Sequence, residues 1–297
     1  MANIHILGAG ALGSLIAVSL FRAGHAHQLI TRHPEQATRL KEGGIRCGDS
    51  VYPVSVVAMS DLPKDAVQCL LLCTKAQDSL SALRGLNEAL SPSAQIICLQ
   101  NGIGQQRAIA ETFPAASIYA ALCTEGVTKH GEGHITHAGV GETTLGQLYG
   151  PPRALPTALF QHSLSFNQEI DIAPALWRKL AINGAINGLT VQYDCLNGEL
   201  IENANVYSEV KALVKEMQQL LRAQGFAQVA NTLLADVYHV CEATALNTSS
   251  MLQDFRAGRD SEREFVYGTW LNEAQRLGIH APRLQQLNDD LKRRASL

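Results

Sequence analysis

Three glycines, Gly8, Gly10 and Gly13, stand directly behind the first apolar run of the chain, Ile4-His5-Ile6-Leu7. In a G-x-G-x-x-G turn of this spacing the first glycine permits a tight bend and the second lets the backbone approach a pyrophosphate. The third allows the following helix to pack on the strand. The phosphates of a dinucleotide then meet free N–H groups at a helix N-terminus, where the helix dipole also favours negative charge. Gly8, Ala9, Gly10, Ala11, Leu12 and Gly13 are therefore the candidate cofactor-binding turn. The run from Ala11 to Ala23, closed by Gly24, supplies the helix it requires.

Which dinucleotide is bound depends on the end of the second strand. Turns that bind NAD place an acidic residue about twenty positions beyond the fingerprint, on the ribose 2′-hydroxyl. Here no Asp or Glu occurs between Ser14 and Pro34, and the second strand runs out at Thr31-Arg32. A guanidinium forks onto a phosphate, so the reading is NADP(H), against the plainer alternative of a solvated loop arginine. Two further polar residues fall at strand ends, where open α/β sheets bind ligands: Lys75 in Thr74-Lys75-Ala76 and Asn101 in Gln100-Asn101-Gly102. Lys75 would add charge near the phosphates, and Asn101 would hydrogen-bond the ribose or the nicotinamide side. A surface lysine and an Asn-Gly turn are the alternatives.

Farther on, Lys179, Asn183 and Asn187 recur at i, i+4 and i+8, one polar stripe on an otherwise apolar stretch containing Leu180, Ala181, Ile182 and Ile186. Amides and ammonium groups are costly to bury without partners, so the stripe faces either a ligand or water. Spacing alone leaves both open.

The elements that must position these groups fall into two halves. The first alternates short apolar runs with helical stretches, the pattern of a parallel sheet with crossover helices. Strands are predicted at Asn3 to Leu7, Gln28 to Thr31, Val51 to Ala58, Val67 to Cys73, Gln95 to Leu99 and Ile118 to Leu122. A small antiparallel extension on the sheet edge is predicted around Thr128, Ile135 to His137 and Thr143 to Leu145. Beyond Pro151-Pro152 a helix is expected near Ala154 to Ser163, then a short strand near Glu169 to Ile172. From Pro174 the texture is helical, with amphipathic stretches at Trp177 to Asn187, Asn205 to Gln224, Asn231 to Thr244, Ser261 to Leu277 and Pro282 to Arg294. The expected fold is an α/β Rossmann-type domain over residues 1–172 followed by an all-α domain over 173–297. With no low-complexity linker, a packed cleft is expected at the join.

A formal net charge of -3 and no basic run before Lys292-Arg293-Arg294 argue against nucleic-acid or anionic-membrane partners. No apolar stretch reaches membrane-spanning length. The seven cysteines form no CxxC pair and no Cys/His cluster with metal-ligand spacing, so no metal site is expected. They read as reduced thiols of a cytoplasmic protein.

The GAGALGS start, Arg32, Thr74-Lys75-Ala76, Gln100-Asn101-Gly102, WRKLAIN at Trp177 to Asn183, NGEL at Asn197 to Leu200 and SSMLQD at Ser249 to Asp254, followed by Glu262, together resemble the ketopantoate reductase family. The match runs in order along nearly the whole chain, and WRKLAIN and SSMLQD are absent from generic Rossmann proteins. The resemblance implies NADPH-dependent reduction of 2-dehydropantoate to pantoate, with a small 2-keto acid as substrate. On the family pattern Lys179 is the catalytic lysine, and Glu262 works with Lys179 and with the cofactor ribose. Asn183, Asn187, Asn197 and Ser250 contact substrate, and Asn247, Thr248 and Ser249 add to that surface. The plainer alternatives are that Ser249-Ser250 cap a helix over Met251 to Arg256 and that Glu262 is an acid in the first turn of the helix beginning near Ser261. Thr128 is the candidate for a backbone contact to cofactor, in a segment that departs from the family in residue type. Apolar residues on the C-terminal helices are compatible with a homodimer. Two alternatives keep the cofactor: a reductase of another branched 2-keto acid, and an NADP sensor without chemistry, against which the Lys179/Glu262 pair argues.

Overall fold

In the computed structural model residues 4–295 are described, so Asn3, placed by sequence at the start of the first strand, lies outside the described residues. The chain forms two compact units, Met1–Gln100 with Gln105–Ile172, and Asn101–Gly104 with Ala173–Leu297. The first is an α/β unit and the second is helical.

The α/β unit begins β1 (Ile4–Leu7), α1 (Ala11–Arg22), β2 (His27–Thr31), α2 (Pro34–Gly43), β3 (Ile45–Cys47), β4 (Ser50–Tyr52) and β5 (Val56–Ala58). It continues with β6 (Val67–Leu72), α3 (Ser79–Gly85), β7 (Leu90–Cys98), α4 (Gln105–Thr112) and β8 (Ser117–Cys123). Four strands close it, β9 (Gly126–Gly131), β10 (His134–Gly139), β11 (Glu142–Tyr149) and β12 (Ser165–Gln168). Eight strands make the main sheet in the order β12-β11-β8-β7-β6-β1-β2-β5. The chain moves outward from β1 through β2 to β5, then returns to the other side of β1 at β6. Strand order therefore reverses between β1 and β6, the place where open α/β sheets bind ligands.

The central strands are continuous apolar runs because both their faces are covered. Ile4, Ile6, Leu29, Cys69, Leu71 and Ile97 pack with α1 and α2 residues such as Leu15, Ile16 and Leu40. Alternate residues Leu7, Ile30, Leu70, Leu72, Ile96 and Cys98 pack with Leu83 of α3 and Ile109 of α4. Parallel registers Leu7↔Ile30, Leu7↔Leu72 and Leu72↔Cys98 bring the carboxyl ends of β2, β1, β6 and β7 level.

In this unit four expectations from the sequence are corrected. The single strand over Val51 to Ala58 is two: β4 pairs antiparallel with β3 and β5 pairs parallel with β2. Pro53, without an N–H, sits between them in a tight turn closed by Val54 N–H on Tyr52 O at 2.9 Å. The antiparallel extension is divided as well. β11 does extend the main sheet antiparallel to β8, but β9 and β10 join β3 and β4 in a separate sheet of order β4-β3-β10-β9. The helix expected near Ala154 to Ser163 is only a 3-10 turn at Thr157–Phe160, because Pro156 interrupts the run, and the strand expected at Glu169 to Ile172 lies earlier, as β12.

His162 follows that turn. Its Nδ1 accepts the Leu164 N–H at 3.2 Å and lies 3.1 Å from Ser19 Oγ, while its Nε2 is buried without a partner. Burial lowers its pKa from 6.5 to about 4. The unfolded chain thus binds the proton more readily, and stability is lost as pH falls from 6.5 towards 4. The expected loss is on the order of 2 kcal/mol after allowing for the ring's partial exposure. Urea unfolding of His162→Asn across that interval should show a shallower decline than the parent; parallel declines would contradict it.

The helical unit is built on α5 (Ala173–Tyr193), with α6 (Glu199–Glu202), α7 (Ala204–Ala223), α8 (Ala227–Ala243), α9 (Ser250–Arg256), α10 (Thr269–Leu277) and α11 (Pro282–Ala295). Asn203 caps α7, its side chain accepting from Asn205 N–H and Val206 N–H. Trp177 of α5 meets Trp270 of α10 edge-on, ring centroids 5.1 Å apart, in a core with Met217 and Leu221. The helix expected from Ser261 starts later, and its first turn is a π-helical segment, Glu264–Gly268, ahead of α10. No described helix is long and apolar enough to cross a membrane.

Candidate active site

At the carboxyl end of β1 the glycine turn has the form its spacing predicts. Gly8 has φ +114°, and a Cβ there would sit 3.1 Å from the Cys73 carbonyl carbon and oxygen. A Cβ on Gly13 would lie 2.1 Å from Gly8 O, so helix and turn approach as closely as backbone allows. A Cβ on Gly10 would meet nothing within 4 Å, so the backbone there faces open space. Gly8 N–H is used internally, on Ile30 O at 3.2 Å. The first bond of α1 is Ser14 N–H to Gly10 O, and Gly10 offers no side-chain cap, so the helix itself leaves the N–H groups of Ala11, Leu12 and Gly13 unused. With no acid in the first turn, the turn fits a bound pyrophosphate.

Arg32 follows β2 and is exposed; among the described residues no hydrogen bond or ion pair holds its guanidinium. Lys75 follows β6 and is also exposed, its carbonyl accepting from Ser79 Oγ at 3.0 Å. Thr128 is exposed on β9 opposite Thr136, and its neighbour Lys129 places Nζ 3.2 Å from Ala9 O in the glycine turn. The sequence reading missed Lys129, a lone lysine in an unremarkable strand.

In the helical unit, Asn101, Asn183, Asn187, Ser250 and Glu262 line one pocket, together with Met251, Asp254 and Val266. Five candidates from four separate segments thus converge. From Lys179 to Thr190 on α5 the only residues not buried are Lys179, Asn183 and Asn187, so along this stretch the polar stripe is what the helix opens to ligand or solvent. Lys179 lies one turn before Asn183, half-buried, just outside the pocket wall. Asn101 reaches the pocket because residues 101–104 pack with the helical unit: the Thr269 hydroxyl lies 2.6 Å from Ile103 O, and Gly102 (φ +92°) lies against Phe265.

Asp254 was missed, although it stands four residues after Ser250, on the same face of α9. Its carboxylate accepts from Arg259 Nε at 2.8 Å. Glu262 does not lie within a helical first turn; it precedes the helix, and its carbonyl accepts from the Phe265 and Val266 N–H groups.

The remaining candidates hold the pocket's frame. Ser249 is buried and caps α9 by accepting from Leu252 N–H; its hydroxyl lies 2.6 Å from Thr190 Oγ1, which donates to Asn187 O. Asn197 is buried, donating from Nδ2 to Thr244 Oγ1 at 2.9 Å and from its backbone N–H to Asn247 O at 3.1 Å, while its Oδ1 is left without a partner. Asn247 is exposed, and Thr248 accepts at its carbonyl from Gln253 Nε2. Neither lines the pocket.

The family model described as ketopantoate reductase PanE/ApbA matches residues 4–150, and the model of that family's C-terminal part matches residues 171–295. A 2-dehydropantoate 2-reductase of Vibrio cholerae is 32% identical over 295 residues, covering 98% of this chain and 97% of the relative. The crystal structure of a probable 2-dehydropantoate 2-reductase from Bacillus subtilis superposes with a TM-score of 0.82 at 27% identity, over 98% of this chain and 99% of that one. A ternary structure of D-mandelate dehydrogenase with NADH and anilino(oxo)acetate has a TM-score of 0.85 at 22% identity, over 99% of this chain and 98% of that one, a likeness of fold alone.

Proposed function

The chain belongs to the ketopantoate reductase family, and from that premise we propose that it reduces 2-dehydropantoate to pantoate with NADPH, a step toward pantothenate and coenzyme A. The observation that carries the reading is the opening on α5: one ammonium and two carboxamides on a single helical face, beside a pocket that adds Asn101, Ser250 and Glu262. Carboxamides and a hydroxyl offer donors and acceptors to a carboxylate, a keto oxygen and a hydroxyl on one small molecule.

When bound, the nicotinamide supplies the hydride. Reduction of the keto carbon leaves negative charge on its oxygen. The Lys179 ammonium stabilises that charge and delivers the proton. Glu262 holds and orients Lys179, and a nearby carboxylate also favours the charged form of the lysine. Asn183, Asn187 and Ser250 bind the substrate, and the α9 N-terminus, capped by Ser249, adds favourable dipole for the substrate carboxylate. Asn197, with Thr244 and Asn247, supports this wall.

The cofactor side is assigned to Gly8 through Gly13, Lys75, Asn101, Thr128 and Glu262, with Arg32 on the 2′-phosphate. The uncapped N–H groups of Ala11, Leu12 and Gly13 support the phosphate site, and the absence of any acid between Ser14 and Pro34 supports NADPH over NADH. Seven free thiols support a cytoplasmic location.

The test is NADPH oxidation against a panel of 2-keto acids comprising ketopantoate, other branched aliphatic acids and phenylglyoxylate. Ketopantoate is expected to give the highest kcat/KM. A higher value for another acid would reassign the substrate, and inactivity on all of them would overturn the reductase reading.

A further inference from the structure

Each amide of the α5 stripe is followed by a glycine, Asn183 by Gly184 and Asn187 by Gly188. The two glycines share one side-chain partner. The Tyr267 hydroxyl accepts the Gly188 N–H at 2.8 Å and donates to the Gly184 carbonyl at 2.8 Å. These two backbone groups, four residues apart, are the pair that closes one i→i−4 rung of an α-helix. A side chain standing on such a rung is one of the few recognised causes of a local helix bend. This rung spans the turn between the two stripe amides.

Only glycine accommodates the arrangement at residue 188, where a Cβ would lie 2.1 Å from the Tyr267 hydroxyl. At residue 184 a Cβ would lie 2.8 Å from Met217 Cε. Tyr267 is fully buried, and burial raises the phenol's pKa, so the hydroxyl stays protonated and can donate and accept at once. It sits in the π-helical segment Glu264–Gly268, a rare geometry enriched at functional sites. The residue before it, Val266, lines the substrate pocket, and Phe265 packs on Gly102 next to Asn101.

We propose that Tyr267 is a positioning residue for the reductase: its hydroxyl, seated on the Gly184–Gly188 rung, sets the spacing and direction in which Asn183 and Asn187 are presented to the keto acid. The inference rests on the reductase reading above. A phenylalanine ring fills the same space but leaves the Gly188 N–H and Gly184 carbonyl to close on each other, tightening the turn between the amides. The amides are assigned to the keto acid and not to the cofactor, so the effect falls on the keto acid's KM.

The experiment is steady-state kinetics of the full-length Tyr267→Phe, Asn187→Ala and double variants, with thermal midpoints recorded for each. Tyr267→Phe is expected to raise KM for ketopantoate about tenfold, with KM for NADPH unchanged. In the Asn187→Ala background the same change should raise the keto-acid KM less than it does alone, since one of the two amides it positions is already gone. A general loss of packing would instead lower kcat and the midpoint without favouring one substrate, and its effects would add. Unchanged keto-acid KM in folded Tyr267→Phe, or full additivity with Asn187→Ala, would overturn the proposal. Should Tyr267→Phe not fold, 3-fluorotyrosine incorporated in place of Tyr267 alters the strength of both hydrogen bonds at constant shape, and a keto-acid KM equal to that of the parent would overturn it equally. Inactivity of the parent on every keto acid would bring down the reaction itself and the positioning role with it.

Discussion

Lys179→Ala is expected to lower kcat on ketopantoate by about 100- to 10,000-fold, the usual contribution of a positioned general acid. NADPH affinity should be retained. The N–H groups of Ala11, Leu12 and Gly13, which we assign to the cofactor phosphates, belong to the α/β unit, whereas Lys179 belongs to α5 of the helical unit. Lys179→Arg separates two roles the lysine combines. The guanidinium keeps the positive charge but gives up a proton far less readily, so a variant limited by proton delivery stays slow, and one limited by charge stabilisation recovers much of its rate. Stopped-flow turnover together with NADPH fluorescence titration reads both quantities. Parental turnover in Lys179→Ala would remove the proton-donor assignment.

The second large effect is expected at Arg32. A guanidinium on a phosphate makes charge-assisted hydrogen bonds worth about 1.5–3 kcal/mol. Arg32→Ala should therefore weaken NADPH by roughly 10- to 150-fold and leave NADH nearly untouched. The exposure of Arg32 beyond β2 makes the substitution mild for folding. Fluorescence titration with each cofactor decides the matter, and equal losses for the two would reject the 2′-phosphate role.

Where the sequence was legible, a short-range physical rule was at work. The glycine turn could be read because each glycine answers a separate steric demand: the Cys73 carbonyl at Gly8, the Gly8 carbonyl at Gly13 and open space at Gly10. The α5 stripe could be read because a helix presents every fourth residue on one face, and burial along Lys179 to Thr190 follows that period. What failed depends on partners distant in the chain. The second sheet joins β3 to β10 across nearly ninety residues, pairing Arg46 with His134 and Cys47 with Ile135, and no local pattern announces such a pairing. The Val51 to Ala58 run shows the same limit, since its β propensity was right on both sides of Pro53 while the two sides belong to different sheets.

Within the site, the capping of α9 by Ser249 could be read from a serine standing just before a helical run, whereas Asn197 could be picked out only as a polar residue, because its bridging bond runs to the distant Thr244. Asp254 could have been found from its spacing to Ser250. Tyr267 could not: an aromatic residue in an apolar stretch reads as core, and only the fold shows its hydroxyl on the α5 rung.

The central claim is that this chain moves a hydride from NADPH to the keto carbon of ketopantoate. The direct measurement is mass spectrometry of the product formed from ketopantoate and NADPH deuterated at both C4 positions of the nicotinamide. Pantoate carrying deuterium at C2 is the expected result; unlabelled pantoate, or no pantoate at all, would contradict the account.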